Sequence, residues 1–145
     1  MKKIISVLIA FSCLSVFAEK VQTPASVDGV TVVTAKEAKA LQDSGALIVD
    51  VRKRMQYETK RIKGAVNVAY KEKSAKVAGF DASKDKFKFE KFADHKTKDV
   101  VFYCNGVNCW KSYKAAVVAV KNGFTKIHWL RTGYPSWESA GFPTE

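Results

Sequence analysis

Two cysteines five residues apart, Cys104 and Cys109, carry the most reactive chemistry in this sequence. They lie in the stretch Val100-Val101-Phe102-Tyr103-Cys104-Asn105-Gly106-Val107-Asn108-Cys109-Trp110-Lys111-Ser112. Val100 to Tyr103 is β-branched and aromatic and predicts a short buried strand. Cys104 to Trp110, with one glycine and two asparagines, predicts a tight loop. Beyond Lys111 the chain is rich in alanine and valine and predicts a helix. Cys104 therefore sits where a strand ends and a loop curls into a helix. The first amides of a helix have no internal partner, and the helix dipole favours an anion beside them. A thiol placed there has its pKa lowered and becomes a usable nucleophile. The backbone of Asn105, Gly106, Val107, Asn108, Cys109, Trp110 and Lys111 is the candidate cradle for a thiolate or a persulfide, and the Lys111 ammonium adds a full positive charge. The plain alternative for Cys104 is a small buried hydrophobe at a strand end. The loop composition, the helix start and the second cysteine favour chemistry.

A second pair of candidates is Asp50 and Arg52. They close the apolar run Ala46-Leu47-Ile48-Val49, which fits a strand covered on both faces, as in a parallel sheet. The carboxyl ends of such strands are where open α/β sheets build their sites. Asp50 and Arg52 are nonetheless expected to be structural residues near the site, tying loops together by hydrogen bonds and an ion pair. His95 and His128 share no ligand spacing with the cysteines, so no metal site is expected, and no cofactor is implied.

The elements that must hold these residues follow from the rest of the chain. Val30 to Val33 is a strand candidate. Thr34 and Glu37 have capping-box spacing at the head of a helix over Ala35 to Asp43, which ends near Ser44-Gly45. Lys53 to Thr59 predicts a short helix or turn, and Ile62 to Val68 a turn into a third strand. Lys71 to Asp99 says least; one or two helices are expected there, with Phe80, Phe87, Phe89 and Phe92 as core anchors. Asn122-Gly123 stops the helix that begins near Lys111. Lys126 to Leu130 is a fifth strand candidate, and Tyr134 to Ala140 a last short helix. Alternation of apolar strands with helices predicts an α/β domain: a mainly parallel central sheet of about five strands with helices on both faces.

The 145 residues suffice for one domain. Lys2-Lys3, a short apolar run and the Val16-Phe17-Ala18 boundary predict a secretory signal over 1–18, leaving 19–145 as the mature domain. The run is too short to span a bilayer comfortably, so no stable membrane insertion is expected after cleavage; an uncleaved anchor is the alternative. The style is bacterial and implies the periplasm or the outside. Loss of Lys2 and Lys3 leaves 23 basic against 14 acidic residues and lowers the formal charge from +11 to +9. The lysines are scattered among acids through Lys71 to Lys98 and accompany no nucleic-acid motif, so nucleic acid is not an expected partner. With Cys13 removed, Cys104 and Cys109 remain, in a compartment where they can pair.

With these blocks in place, the sequence from Val30 to Pro143 resembles the rhodanese family of sulfurtransferases. One block is Leu47 to Arg52 followed by Tyr57-Glu58 and Arg61-Ile62-Lys63-Gly64-Ala65-Val66-Asn67. Another is Val101 to Cys104 leading into Lys111-Ser112. The last is Gly133-Tyr134-Pro135-Ser136-Trp137-Glu138-Ser139-Ala140-Gly141-Phe142-Pro143. Lys60-Arg61 replaces the Gly-His usual in the family. The loop is two residues longer than the common form, and Cys109 stands where a basic residue is usual.

The resemblance implies a sulfane-sulfur transfer in which Cys104 becomes a persulfide. A small sulfur donor such as thiosulfate and a cyanide or thiol acceptor would be its partners. Loop shape selects the donor, so the donor stays open. Cys109 keeps three readings: a resolving thiol, a partner in a resting disulfide, or a packing residue. A thiol–disulfide redox protein using the pair, with a protein redox partner, and a non-catalytic binding module are the rivals. Phosphatases of the same fold need an arginine closing the cysteine loop, and this loop has none.

Overall fold

The structure is a computed structural model and describes residues 19–145; the expected signal over 1–18 lies outside them. Five strands, β1 (Val30–Val32), β2 (Leu47–Asp50), β3 (Val66–Asn67), β4 (Val100–Tyr103) and β5 (Ile127–Leu130), form one sheet in the order β1-β5-β4-β2-β3. All neighbours pair in parallel. The helices are α1 (Ala35–Asp43), α2 (Arg54–Thr59), α3 (Trp110–Lys121) and α4 (Gly133–Ser139). The α/β reading with a parallel sheet of about five strands is thus observed.

Alternation along the strands feeds two cores. Val49, Phe102 and Ile127 pack on one face with Ala115, Ala116 and Ala119 of α3. Ile48, Val101, Tyr103 and Leu130 pack on the other with Ala35 and Ala38 of α1 and with Tyr134 and Trp137 of α4. β4 is buried at all four positions because it is the middle strand and is covered on both sides. The Thr34–Glu37 capping box forms at the head of α1, as its spacing predicts.

Lys71 to Asp99 departs from regular structure. It holds two 3₁₀ stretches, Ala82–Lys84 and Phe89–His95, the second interrupted at Phe92, and an antiparallel bridge between Lys71 and Lys86. What fixes this stretch is aromatic packing and one polar cluster. Phe92 meets Phe102 and Phe124 at ring-centroid distances of 5.7 and 5.1 Å. Asp85 accepts hydrogen bonds from the Tyr70 and Ser74 hydroxyls and from the Lys73 and Ser74 amides, at 2.6–2.7 Å. Lys114, fully buried on α3, donates to the Ser74 carbonyl and hydroxyl, and its ammonium is 2.9 Å from Glu72. A charge survives inside the protein because acceptors surround it.

Candidate active site

Cys104 follows β4 directly, and Cys109 is the N-cap residue of α3. Between them the chain makes a tight loop, closed by the Cys109 amide donating to the Gly106 carbonyl at 2.9 Å. Gly106 has φ +129°, in the region that favours glycine. The two cysteines are joined as a disulfide across a Cα–Cα distance of 6.2 Å. Cys104 is only 1% exposed, whereas Cys109 is part-exposed. In this state the sulfur at the strand end is held and cannot attack anything.

The loop is gripped from two sides. The Tyr134 amide donates to the Cys104 carbonyl at 2.8 Å. Gly133, at φ +68°, lies so close that an added Cβ would come within 2.5 Å of the Cys104 carbonyl oxygen and nearer still to the Gly106 nitrogen. Only glycine fits there, both for its φ and for the contact. From the other side the Thr23 amide and hydroxyl both donate to the Val107 carbonyl, at 2.9 and 2.8 Å. Among the described residues, the amides of Asn105, Gly106, Val107 and Asn108 find no protein acceptor. Cys109 gives α3 no side-chain cap, so the amides of its first turn also stay free of one. The loop thus offers a row of unengaged donors beside a sulfur.

These residues line a cleft of about 620 Å³ that includes Asn105 to Lys111, Thr132, Pro135, Lys20, Glu72 and Lys76. It brings together every loop residue predicted from Asn105 to Lys111. Burial lowers the pKa of Lys111, and repulsion from Lys53 and Lys76 adds to this, with Glu72 opposing. The cleft lining thus carries Lys20, Lys76 and Lys111, with Glu72 among them. The Trp110 indole is buried; it donates to the Val21 carbonyl at 3.0 Å and packs edge-on against Tyr113.

Asp50 and Arg52 do not line this cleft. Arg52 grips Asp50 through Nε and Nη2, with the shortest contact 2.6 Å, and its Nη2 also donates to the Lys60 carbonyl at 2.7 Å. Tyr103 donates to Asp50 at 2.6 Å, and the Arg52 guanidinium lies 4.7 Å from the Tyr134 ring centroid. Burial, with Asp50 adding to it, raises the Tyr103 hydroxyl's pKa, so the phenol stays a donor. The two form a buried ion pair outside the cleft, and Tyr103 is a partner that sequence spacing does not reveal. Thr23, Arg131, Glu72 and Gly133 were also missed as site neighbours. Gly133 had a signal, a glycine opening the Gly-Tyr-Pro turn; the others are joined to the loop only through distant contacts.

Comparison with known proteins agrees with this architecture. A family model described as "Rhodanese-like domain" matches residues 34–140. Among curated proteins, none matches this chain. The BH2092 protein of Bacillus halodurans superposes with a TM-score of 0.59 at 20% identity, covering 79% of this chain and 76% of its own. The Alr3790 protein of Anabaena sp. gives 0.56 at 23%, covering 78% and 90%. A thiosulfate sulfurtransferase of Pseudomonas aeruginosa gives 0.58 at 20%, covering 80% of this chain and 20% of that one. At these identities the likeness is one of fold.

Proposed function

The chain belongs to the rhodanese-like domain family, and on that premise we propose that it is a sulfurtransferase acting through a persulfide on Cys104. One observation carries the reading. A cysteine ends the middle strand of the sheet and is followed by a loop whose amides from Asn105 to Asn108 have no protein acceptor, opening into a helix start. That is an arrangement for stabilising negative charge on sulfur. The reduced Cys104 thiolate attacks the outer sulfur of a donor such as thiosulfate. A Cys104 S–S bond forms, the donor's S–S bond breaks and sulfite leaves. Cyanide or a thiolate then takes the terminal sulfur and returns the Cys104 thiolate. Two lower barriers replace one high barrier. The cations around Lys111 favour anionic donors.

The disulfide adds a stage before this cycle. Of the two sulfurs, that of Cys109 belongs to the part-exposed residue. A reductant's thiolate attacks Cys109 and expels Cys104 as the leaving thiolate; a second thiolate of the reductant releases Cys109 and carries away the oxidised pair. Cys109 also has a role as resolving thiol. Its attack on the Cys104 persulfide forms the disulfide and releases hydrosulfide, with two thiols oxidised and the sulfane sulfur reduced. A dithiol reductant, in an exported setting a periplasmic redox protein, then resets the pair.

The same disulfide favours a second reading, a thiol–disulfide redox protein. Intact-mass measurement after the reduced chain meets thiosulfate separates the two. Gain of one sulfur on Cys104, with thiocyanate formed on adding cyanide, is the expected result. Loss of two hydrogens in the wild-type chain, with no sulfur gained by a Cys109→Ser chain that has no thiol to resolve a persulfide, supports the redox protein. An unchanged mass supports a binding module.

A further inference from the structure

The segment ahead of β1 has no secondary structure from Glu19 to Pro24, yet it is tied both to the cysteine loop and to Arg131. Thr23 is 3% exposed, and its polar groups are all engaged. Its amide and hydroxyl donate to the Val107 carbonyl. Its hydroxyl oxygen accepts from Arg131 Nε at 3.2 Å, and its carbonyl accepts from Arg131 Nη2 at 2.7 Å. Arg131 Nε also reaches the Pro24 carbonyl at 3.0 Å, and the Trp110 indole holds the Val21 carbonyl. Arg131 has no carboxylate partner among the described residues. Its guanidinium serves the strap instead.

The consequence for the loop follows from peptide geometry. No cis bond occurs among the described residues, and in a trans unit the C=O and the following N–H point in opposite directions. Thr23 draws the Val107 carbonyl toward the strap with two donors. The Asn108 N–H of the same unit is thereby turned away from the strap, and no protein group accepts it. Tyr134 does the same on the other side: it fixes the Cys104 carbonyl and so turns the Asn105 N–H away.

We propose that Thr23, held by Arg131, is a positioning residue of the active site: it sets the Asn108 peptide so that its N–H stays available to a sulfur anion in the cleft. The role rests on the sulfurtransferase reading for its purpose, but its test does not need sulfur transfer. The rate of Cys104 alkylation in the reduced full chain is followed against pH, with the modified residue identified by peptide mass. Thr23→Val removes the hydroxyl donor and keeps the shape. With that bond gone the Val107–Asn108 peptide is freer to turn and take the Asn108 N–H away from the sulfur, which is expected to raise the midpoint of thiolate formation by about one pH unit. Thr23→Ser restores the donor and is expected to restore the midpoint. Arg131→Gln loosens the strap from its other end and should move the midpoint in the same direction, which covers the case in which Thr23→Val fails to fold. An unshifted midpoint in the variants that fold overturns the proposal. So does a shift that Thr23→Ser fails to reverse. If the reduced Cys109→Ser chain, which cannot resolve a persulfide, gains no sulfur from thiosulfate while the midpoints move as stated, the transfer reading fails and the positioning role stands.

Discussion

Two polar assemblies lie side by side at the carboxyl edge of the sheet, and they are built on opposite terms. On β2, Asp50 takes hydrogen bonds from Arg52 and Tyr103, and Arg52 in turn meets the Lys60 carbonyl. On β4, Tyr103 is the register partner of Asp50, and the next residue is Cys104. From there the arrangement reverses. The first assembly consumes the hydrogen-bonding capacity of its charged groups internally. The second fixes its carbonyls and leaves its amides without protein partners. A satisfied cluster holds a fold, and an unsatisfied row of donors is what an incoming anion can use. Charge alone did not separate the two; the fate of each hydrogen-bonding group did.

The sharpest way to break this contrast is to exchange the consequences. Cys104→Ser is expected to lower thiocyanate formation at least ~1,000-fold, about 4 kcal/mol of transition-state stabilisation. Its denaturation midpoint should match that of Cys109→Ser, which loses the same crosslink. Asp50→Ala should do the opposite. Stripping the partner from a buried guanidinium costs about 3–5 kcal/mol, read by urea unfolding, while the protein that remains folded keeps transfer within a few-fold of wild type. Comparable transfer losses from both substitutions would erase the distinction between the assemblies.

A second satisfied cluster gives a subtler test. Burial raises the Asp85 carboxyl, but hydrogen bonds from the Ser74 hydroxyl, the Lys73 and Ser74 amides and Tyr70 outweigh it and hold the pKa at about 2. The folded state thus binds this proton less readily than the unfolded chain. Its contribution of about 2–3 kcal/mol is full above the ordinary value of 3.8 and is lost as pH falls through about 2. Asp85→Asn should flatten the acid limb of a stability–pH curve in that window; an unchanged limb would remove Asp85 from the account. The smallest effect belongs to the reactive assembly. Reducing the Cys104–Cys109 bond returns the entropy of a very short loop to the unfolded chain and so costs about 2 kcal/mol of stability. Transfer should begin only after that reduction, with the melting temperature falling by a few degrees.

The sequence made the sheet legible because its strands are short apolar runs bounded by turn residues. Val100 to Tyr103 and Ile127 to Leu130 stand where those runs predicted. The cysteine at the strand end and the helix starting near Lys111 were legible for the same reason. The strap was not. Val21 to Pro24 has no periodicity, and its partners Val107 and Arg131 are 84 and 108 residues away from Thr23. Lys114 was equally hidden, since a lysine on an alanine-rich helix reads as solvated until the acceptors of a distant loop enclose it. Lys71 to Asp99 was expected to hold one or two helices; it is instead organised by single aromatic anchors and by Asp85, neither of which leaves a repeat.

That last region has a consequence for how the molecule comes apart. Lys114 joins α3 to Ser74 across 40 residues of chain, and Asp85 folds the intervening stretch back on itself. The Lys114 bonds can close only once α3 lies on the sheet. Glu72 and Lys76, at the rim of the cleft, belong to the same stretch. Protonating Asp85 removes the acceptor of four hydrogen bonds that hold this covering in place. Sub-global opening short of global unfolding is therefore expected to start in this stretch, beside the loop from Asn105 to Lys111.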